Sequence, residues 1–285
     1  MADTTASEGL PAQPAHKRER VPPHKLVWAI LKLLPLAVVL IVLAPFQIVA
    51  NVFRLRTISG LLPMIFHKCG LWCLGVRVRV EGAPLATGSA LPGPALMVSN
   101  HVSWLDIIIV SSVMPVRFVA KDDVETWPVI GWLAKLQNTL FVSRTRRQAT
   151  GQMADAMQEA LNAGDRVAFF PEGTSSDGGQ VLPFLSSLFG SVMGAEAHAP
   201  VQPYVIAYVR RDGLVITRGE RASLGWYGDL DFVPSLLGIL LGGPLDVALV
   251  LLEPRYPEEL GSRKQMAKRL EDDVRRTLAH RLRSG

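Results

Sequence analysis

A histidine and an aspartate lie five residues apart, at His101 and Asp106, directly after a short apolar run that predicts a buried strand. On one straight helix this spacing would separate the two side chains by about 140° around the axis. They can meet only if His101 lies in a loop and Asp106 in the first turn of the next helix. An aspartate that contacts one imidazole nitrogen fixes the tautomer and leaves the other nitrogen as a base. Taken alone, the spacing favours a simpler interpretation, a loop histidine and an aspartate that interacts with the helix dipole.

Two further polar stretches follow predicted strands. In the first, Pro171 ends a strand, Gly173 lets the backbone approach a ligand closely, and hydroxyl residues such as Thr174 suit an anionic or hydroxyl-bearing group. The ordinary alternative is a turn in which Glu172 is solvated. In the second stretch, Arg144 could bind a phosphate through two hydrogen bonds. Taken alone, that stretch is better interpreted as a solvated charge run at the start of a helix.

The elements that must position these residues alternate between strand and helix from residue 76 onward. Predicted strands cover 76–80, 95–99, 116–120, 139–143, 166–170, 201–209, 214–218 and 245–252. Helical periodicity between them covers 105–113, 128–136 and 147–163. This alternation is typical of an α/β fold in which helices cover a mostly parallel sheet. The polar stretches then lie at the carboxyl ends of strands, where open α/β sheets build their sites.

Length and composition limit the possible classes of protein. The 285 residues are enough for one large domain or two small ones with a sizeable core. Hydrophobic residues make up 49% and charged residues 19% of the chain, which excludes bulk disorder, collagen and coiled coil. The formal net charge of +5 favours an anionic partner such as a membrane surface, a phosphorylated substrate or nucleic acid. The two cysteines, Cys69 and Cys73, are too few for a disulfide framework or a zinc cage.

The N-terminal region changes polarity abruptly. Residues 1–25 are rich in proline and poor in large apolar side chains, which predicts a flexible basic tail. Residues 33–53 carry no charge and are long enough for a helix that crosses a hydrocarbon core of about 30 Å. A second apolar stretch covers 58–75. We predict a membrane-associated helical hairpin over 26–75, because a signal peptide would have a shorter apolar region followed by a cleavage site. Basic residues on both flanks leave a spanning and a re-entrant arrangement open.

Two C-terminal segments are assigned to the globular domain. Residues 232–252 contain several prolines and glycines and Asp246, so we predict a short helix, a turn and a strand rather than another membrane span. Apolar residues then recur every four positions from Met266 to Leu282 among many basic residues, which predicts an amphipathic helix. Packing on its own domain is the ordinary interpretation of this helix, and a role at the membrane surface is the alternative.

Three sequence blocks together resemble the phospholipid/glycerol acyltransferase family, in its 1-acyl-sn-glycerol-3-phosphate acyltransferase branch. They are N-H-x4-D at 100–106, F-V-S-R at 141–144 and F-F-P-E-G-T at 169–174, in the family's order and spacing. The resemblance extends from about residue 33 to residue 252. It departs from the family at Leu185 and Ser186, where a basic residue is common, so one phosphate contact has no counterpart here.

This resemblance implies a globular acyltransferase domain over 76–285. The implied reaction transfers a fatty acyl group from a thioester to the free hydroxyl of 1-acyl-sn-glycerol 3-phosphate and gives phosphatidic acid. His101 would remove the proton of the attacking hydroxyl, and Asp106 would orient and stabilise His101. The residues implied to surround the glycerol phosphate are Arg144, Glu172, Gly173 and Thr174.

The resemblance also implies the partners of the protein. The acyl donor would be acyl-CoA or acyl carrier protein, and the acceptor a lysophospholipid in the lipid bilayer. No metal, cofactor or nucleic acid is expected. The expected location is the cytoplasmic face of the inner (plasma) membrane.

Other functions stay open beside this one. The nearest is the same chemistry on lyso-ornithine lipid, because Asp177 with the segment 226–229 is similar to a branch that acylates this phosphate-free acceptor. An acidic side chain such as Asp177 or Asp229 would suit the ammonium of ornithine, whereas Arg144 suits a phosphate. On balance we rank 1-acyl-sn-glycerol 3-phosphate as the first candidate acceptor. More remote are a non-catalytic membrane lipid-binding protein and a hydrolase that uses His101. A hydrolase would be expected to carry a G-x-S-x-G elbow, which the sequence lacks.

Overall fold

The computed structural model describes residues 22–82, 93–142, 149–196, 198–226 and 232–284. Within these ranges eight strands form one sheet. The strands are β1 (Val76–Gly82), β2 (Ala95–Ser99), β3 (Arg117–Lys121), β4 (Leu140–Val142), β5 (Arg166–Phe169), β6 (Val201–Arg211), β7 (Leu214–Val215) and β8 (Leu245–Leu251). The helices are α1 (Pro23–Val52), α2 (Arg56–Leu74), α3 (Leu105–Val113), α4 (Asp122–Glu125), α5 (Ile130–Leu136), α6 (Ala149–Asn162), α7 (Gly190–Met193), α8 (Arg218–Leu224), α9 (Phe232–Leu240), α10 (Pro257–Leu260) and α11 (Arg263–Ser284), with a 3-10 turn at Ser186–Phe189.

The sheet has the order β1-β8-β6-β2-β5-β3-β4, with β7 beside β6. The strands β6, β2, β5, β3 and β4 are all parallel to their neighbours in that series. The exceptions are β8 and β7, which run antiparallel to β6, whereas the edge strand β1 is parallel to β8. The prediction of a mostly parallel sheet covered by helices is therefore confirmed.

Alternating side chains of the same strands build two cores, one on each face of the sheet. On one face, Met97 and Tyr208 pack with residues of α1, α2, α3 and α9. On the other face, Val98 and Val209 pack with residues of α6 and α11. This division follows from the two-residue period of a strand, and burial on both faces explains why the central strands are apolar throughout. The N-terminal hairpin and the C-terminal helix consequently lie on opposite faces of the sheet.

The helices α1 and α2 form the N-terminal hairpin. Pro23 lies in the first turn of α1, where its missing N–H breaks no helical hydrogen bond, so the helix begins three residues before the predicted boundary at 26. It continues through Pro35 and Pro45. Gly75 ends α2 in a left-handed conformation with φ of 70°.

One side of α1 is a continuous exposed apolar surface. An 18-residue window of this helix has a mean hydropathy of 2.8 and is only 6% buried. Among its outward side chains, Val38, Ile41 and Phe46 are 59%, 73% and 61% exposed. In length and composition, α1 and α2 are the two described helices that could cross a membrane. An exposed apolar surface of this size is unusual on a soluble domain and indicates association with a membrane.

Polar side chains fasten α1 to the globular domain at two places. In the first third of the helix, Lys32 Nζ donates to the carbonyl oxygen of Leu240 at 3.0 Å. Near its end, Gln47 Nε2 and Asn51 Nδ2 donate to the carbonyl oxygen of Leu136 at 3.0 and 2.8 Å. The helix therefore lies along the domain and does not project away from it.

One predicted strand is too long. Of the predicted strand 214–218 only Leu214–Val215 pairs with β6, and α8 begins at Arg218. The reason is a capping box. The Thr217 hydroxyl accepts from the Glu220 N–H at 3.3 Å, and Glu220 Oε2 accepts from the Thr217 N–H at 2.9 Å. These bonds satisfy backbone donors at the helix start and stabilise a helix where alternation alone predicted a strand.

Both C-terminal predictions are confirmed. The segment 232–252 contains α9, a turn and β8, all within the globular domain. The amphipathic helix is α11, and its apolar residues Met266, Leu270, Val274 and Leu278 are buried against the sheet.

Candidate active site

The candidate site is formed where β2 and β5 end, at the carboxyl edge of the parallel strands. The loop after β2 carries His101, and the loop after β5 begins at Phe170. Asn100 fixes the first loop, because its side-chain Nδ2 donates to the carbonyl oxygen of Ile206 and its Oδ1 accepts from the Ile206 N–H, both at 3.0 Å. The buried amide thereby continues the hydrogen-bond ladder to β6 by one step after β2 has ended.

His101 lies in the loop and Asp106 in the first turn of α3, the one arrangement in which their spacing lets them meet. Nδ1 of His101 is 2.8 Å from Oδ2 of Asp106. Asp106 is fully buried, and Oδ2 also accepts from the N–H groups of Val102 at 2.6 Å and Ser103 at 2.9 Å. Because an ionised carboxylate only accepts, Nδ1 carries the proton and Nε2 is left as a base. The imidazole is 19% exposed, so a substrate can reach it.

A tyrosine that the sequence did not indicate completes the environment of this carboxylate. Tyr208 on β6 is buried, and its phenol donates to Oδ1 of Asp106 at 2.6 Å. Burial, together with the charge of Asp106 and this hydrogen bond, raises the pKa of Tyr208 well above its usual value. The phenol therefore stays protonated and remains a donor at every pH of interest.

The loop after β5 holds both the ring and the backbone of His101. The Phe170 ring stacks on the imidazole with centroids 4.1 Å apart and planes 7° apart. Glu172 Oε1 accepts from the His101 N–H at 3.1 Å. The His101 carbonyl oxygen accepts from the Ser176 N–H at 2.8 Å and from its hydroxyl at 3.1 Å. The F-P-E-G-T segment is thus the second wall of the site.

Glu172 is buried, so its interpretation as a solvated turn residue is wrong. Burial is the largest cause that raises the pKa of Glu172 well above its usual value, while the His101 N–H lowers it. Its contact with the loop of the histidine gives Glu172 a positioning role, and its predicted contact with the acceptor phosphate stays a prediction.

The other predicted acceptor residues differ in what the structure describes. Gly173 has a φ of +71°, a conformation that favours glycine, and a Cβ there would lie 2.9 Å from Cδ1 at the mobile end of the Leu185 side chain. Thr174 is exposed beside it. Arg144 and Asp229 lie outside the described residues.

Asp177 has protein partners of its own. Its side chain is 1% exposed, and Oδ1 accepts from the Gly179 N–H at 2.8 Å. Nη2 of Arg218 lies 3.9 Å from Oδ2. Burial lowers the pKa of Arg221, and the charge of Asp177 offsets part of this shift. Asp177 thus lies near two arginines, while its Oδ2 accepts no hydrogen bond among the described residues. Its predicted suitability for a substrate ammonium stays a prediction.

An aromatic cluster borders the histidine loop and was missed by the sequence analysis. Trp104, Trp127, Trp226 and Phe232 contact one another with ring centroids 5.1 to 6.5 Å apart. Trp104 belongs to the histidine loop, and the Trp226 N–H donates to the carbonyl oxygen of Val102 at 2.9 Å. These rings come from four separate segments, so only the fold brings them together. They give the site an apolar border that suits acyl chains.

The fold and the site combine a mostly parallel α/β sheet with a buried aspartate that is hydrogen-bonded to an accessible histidine. A family model described as Acyltransferase matches residues 77–207. The lyso-ornithine lipid O-acyltransferase of Brucella abortus is 41% identical over 222 residues, which cover 76% of this chain and 81% of that protein. The 1-acyl-sn-glycerol-3-phosphate acyltransferase of Neisseria gonorrhoeae is 37% identical over 134 residues, which cover 47% of this chain and 52% of that protein.

The chain belongs to the acyltransferase family and is an acyltransferase of the lysophospholipid type. In fold it is similar to the crystal structure of the 1-acyl-sn-glycerophosphate (LPA) acyltransferase PlsC from Thermotoga maritima. The TM-score is 0.64 at 24% identity, and the match covers 90% of this chain and 95% of the other.

Proposed function

We propose that this protein O-acylates lyso-ornithine lipid with a fatty acyl group from a thioester donor, which is acyl-CoA or acyl carrier protein. The observation that carries this choice of acceptor is the match to a lyso-ornithine lipid O-acyltransferase over 81% of that protein's length. The sequence match to the Neisseria glycerol phosphate acyltransferase is shorter and covers 52% of that protein. The acceptor that the sequence motifs placed first, 1-acyl-sn-glycerol 3-phosphate, becomes the second candidate.

In the proposed mechanism His101 is the general base. Nε2 takes the proton of the acceptor hydroxyl while the oxygen attacks the carbonyl carbon of the thioester. The tetrahedral intermediate then collapses, the C–S bond breaks, and the thiolate receives the proton from the imidazolium. Asp106 stabilises the imidazolium between these two steps. No covalent acyl-enzyme forms, so neither Ser103 nor the cysteines act as nucleophiles.

An apolar contact in the acceptor region supports an acceptor without phosphate. Leu185 is 53% exposed and lies over Gly173, next to the F-P-E-G-T segment. Its N–H donates to the carbonyl oxygen of Pro171 at 2.9 Å, which fixes it in this place. A phosphomonoester is stabilised by charge-assisted hydrogen bonds, which a leucine does not provide. The second candidate acceptor is favoured by Arg144 of the F-V-S-R block.

The membrane arrangement that fits this reaction is insertion of the hairpin into one leaflet. Contacts of Lys32 and Asn51 hold α1 along the globular domain, which a helix projecting across the bilayer would not permit. The apolar side of α1 then lies at the level of the acyl chains, and the acceptor enters from the bilayer. A thioester donor comes from the cytoplasm, so the cytoplasmic face of the inner membrane is the proposed location.

Parallel assays with the two lipids test the choice of acceptor. Purified full-length protein in mixed micelles receives a labelled acyl thioester and either lyso-ornithine lipid or 1-acyl-sn-glycerol 3-phosphate. We expect kcat/KM for lyso-ornithine lipid to be at least about tenfold higher, which corresponds to about 1.4 kcal/mol of discrimination. A preference for the glycerol phosphate establishes the second candidate instead. Absence of product with both lipids contradicts acyl transfer to either of them.

A further inference from the structure

The positive charge of the chain is concentrated on one helix. Of the residues of α11, eight are Lys or Arg and three are Asp or Glu, so its formal charge of +5 equals that of the whole chain and the remaining sequence is neutral. Glu271 and Asp273 are buried and Asp272 is half-buried, whereas all basic residues of the helix except Arg281 are exposed. The outer side of α11, here called the basic face, is therefore predominantly positive, and Asp272, whose side chain is 45% exposed, is the one partly exposed acid of the helix.

The basic face is directed away from the membrane side of the protein. α1 and α2 pack on one face of the sheet, and α11 packs on the other through Met266, Leu270 and Val274. A bilayer that contacts the exposed apolar side of α1 consequently leaves the outer side of α11 in water. Anionic lipid is therefore not the partner that this geometry favours for the basic face.

The same helix borders the active-site loop. Glu271 Oε2 accepts from the Phe184 N–H at 3.0 Å, and Arg275 Nη2 donates to the carbonyl oxygen of Val181 at 3.1 Å. Leu185, the residue after Phe184, donates its N–H to the carbonyl oxygen of Pro171 in the F-P-E-G-T loop. A partner bound to α11 would thus lie beside residues 181–185, which connect the helix to the F-P-E-G-T loop against His101.

We propose that the basic face of α11 docks an acidic carrier protein that presents the acyl thioester. The inference rests on the proposed acyl transfer, in which the acceptor arrives from the bilayer and the donor from water. A predominantly positive surface on the water side attracts an acidic protein and steers its approach. The occupant is therefore an acidic protein that delivers substrate, and the interaction weakens as ionic strength rises.

Two matched charge reversals in the full-length protein test this proposal. The test variant combines Lys264→Glu and Arg269→Glu, and leaves Arg275 and Arg276 in place because they pair with buried acids. The control variant combines Arg77→Glu and Arg79→Glu on β1, whose side chains are 74% and 80% exposed. Both variants change the net charge equally. Each is assayed with the same acyl chain on acyl carrier protein and on CoA, at low and at high salt.

We expect the α11 variant to lose about tenfold or more in kcat/KM for the carrier-protein thioester at low salt, with the loss vanishing at high salt. With acyl-CoA it should keep its activity within about twofold, and the β1 control should keep both activities. An equal loss with both donors overturns the proposal. So does a wild type that uses acyl-CoA but not the carrier-protein thioester, a result that leaves acyl transfer intact. Loss of sedimentation with anionic vesicles in the α11 variant alone would make the face a membrane surface instead.

Discussion

The Tyr208 phenol and the Asp106 carboxylate are joined by a hydrogen bond of 2.6 Å between Oη and Oδ1, across 102 residues of sequence. This bond occupies the carboxylate oxygen that does not face the histidine. The other oxygen, Oδ2, is held by two backbone N–H groups and by Nδ1 of His101. The aspartate therefore has one orientation, and Tyr208 is a positioning residue for the proposed base.

We expect Tyr208→Phe to lower kcat by about tenfold and to leave KM for both substrates unchanged. A hydrogen bond to a charged group contributes about 1.5–3 kcal/mol, part of which is expressed when the imidazole becomes charged. Tyr204 offers a matched control, since it is buried on the same strand and its hydroxyl has no hydrogen-bond partner among the described residues. Tyr204→Phe should keep wild-type kcat. In an Asp106→Asn background, Tyr208→Phe should have little further effect, and a full additional loss would contradict the positioning role.

The proposed base is tested by His101→Ala, which should reduce kcat by about 100-fold or more while the protein stays folded. Asp106→Asn should also be severe, because an amide can hold the imidazole in the wrong tautomer. Steady-state kinetics and circular dichroism of both variants check these expectations. A folded His101→Ala protein with near wild-type turnover would end the proposed mechanism.

Glu172 predicts a particular pH dependence of stability. Burial raises the pKa of Glu172 well above its ordinary value of 4.5, so the folded state binds a proton that the unfolded state releases. The contribution of Glu172 to the free energy of unfolding is thus largest at low pH and falls as pH rises past about 4.5 toward the folded-state pKa. Denaturant unfolding measures the free energy of unfolding of the wild type and of Glu172→Gln at each pH. As pH rises through this range, the wild type should lose stability relative to the variant. A difference that is constant with pH would contradict the raised pKa.

The sequence pattern predicted the parts of the site that are formed by residues close together in the sequence. The five-residue spacing of His101 and Asp106 was sufficient to place one in a loop and the other in a helix. The local pattern did not indicate a role for Tyr208, because this residue lies among apolar residues of a buried strand and has the pattern of an ordinary core position. The aromatic cluster was missed for the same reason, since its rings come from four separate segments. Contacts between distant segments need the sheet order, which the local pattern does not contain.

Packing also decided between alternatives that the sequence left open. The residues around Glu172 are typical of a solvated turn. Because β2 and β5 are neighbours, however, their ends bring the Glu172 carboxylate against the His101 N–H. At the start of α8, the capping box of Thr217 and Glu220 overrides an alternating pattern that predicted a strand. The hydrophobic period of α11 predicted its packing, but only the two-faced sheet shows that it lies opposite the hairpin.

The exposed apolar side of α1 predicts which substitutions weaken membrane binding without loss of the fold. Ile41 and Phe46 are 73% and 61% exposed, so Ile41→Glu with Phe46→Glu should not disturb the core. A charged side chain in the hydrocarbon region costs about 2.5–3.5 kcal/mol on insertion scales, so binding to vesicles should fall by at least about tenfold. Leu214→Glu is the control, because Leu214 is 74% exposed on β7, which is not part of the hairpin. Sedimentation of each variant with salt-washed vesicles measures the effect. Acylation of a bilayer lysolipid should fall in parallel for the α1 variant alone, whereas unchanged sedimentation would assign membrane binding to another surface.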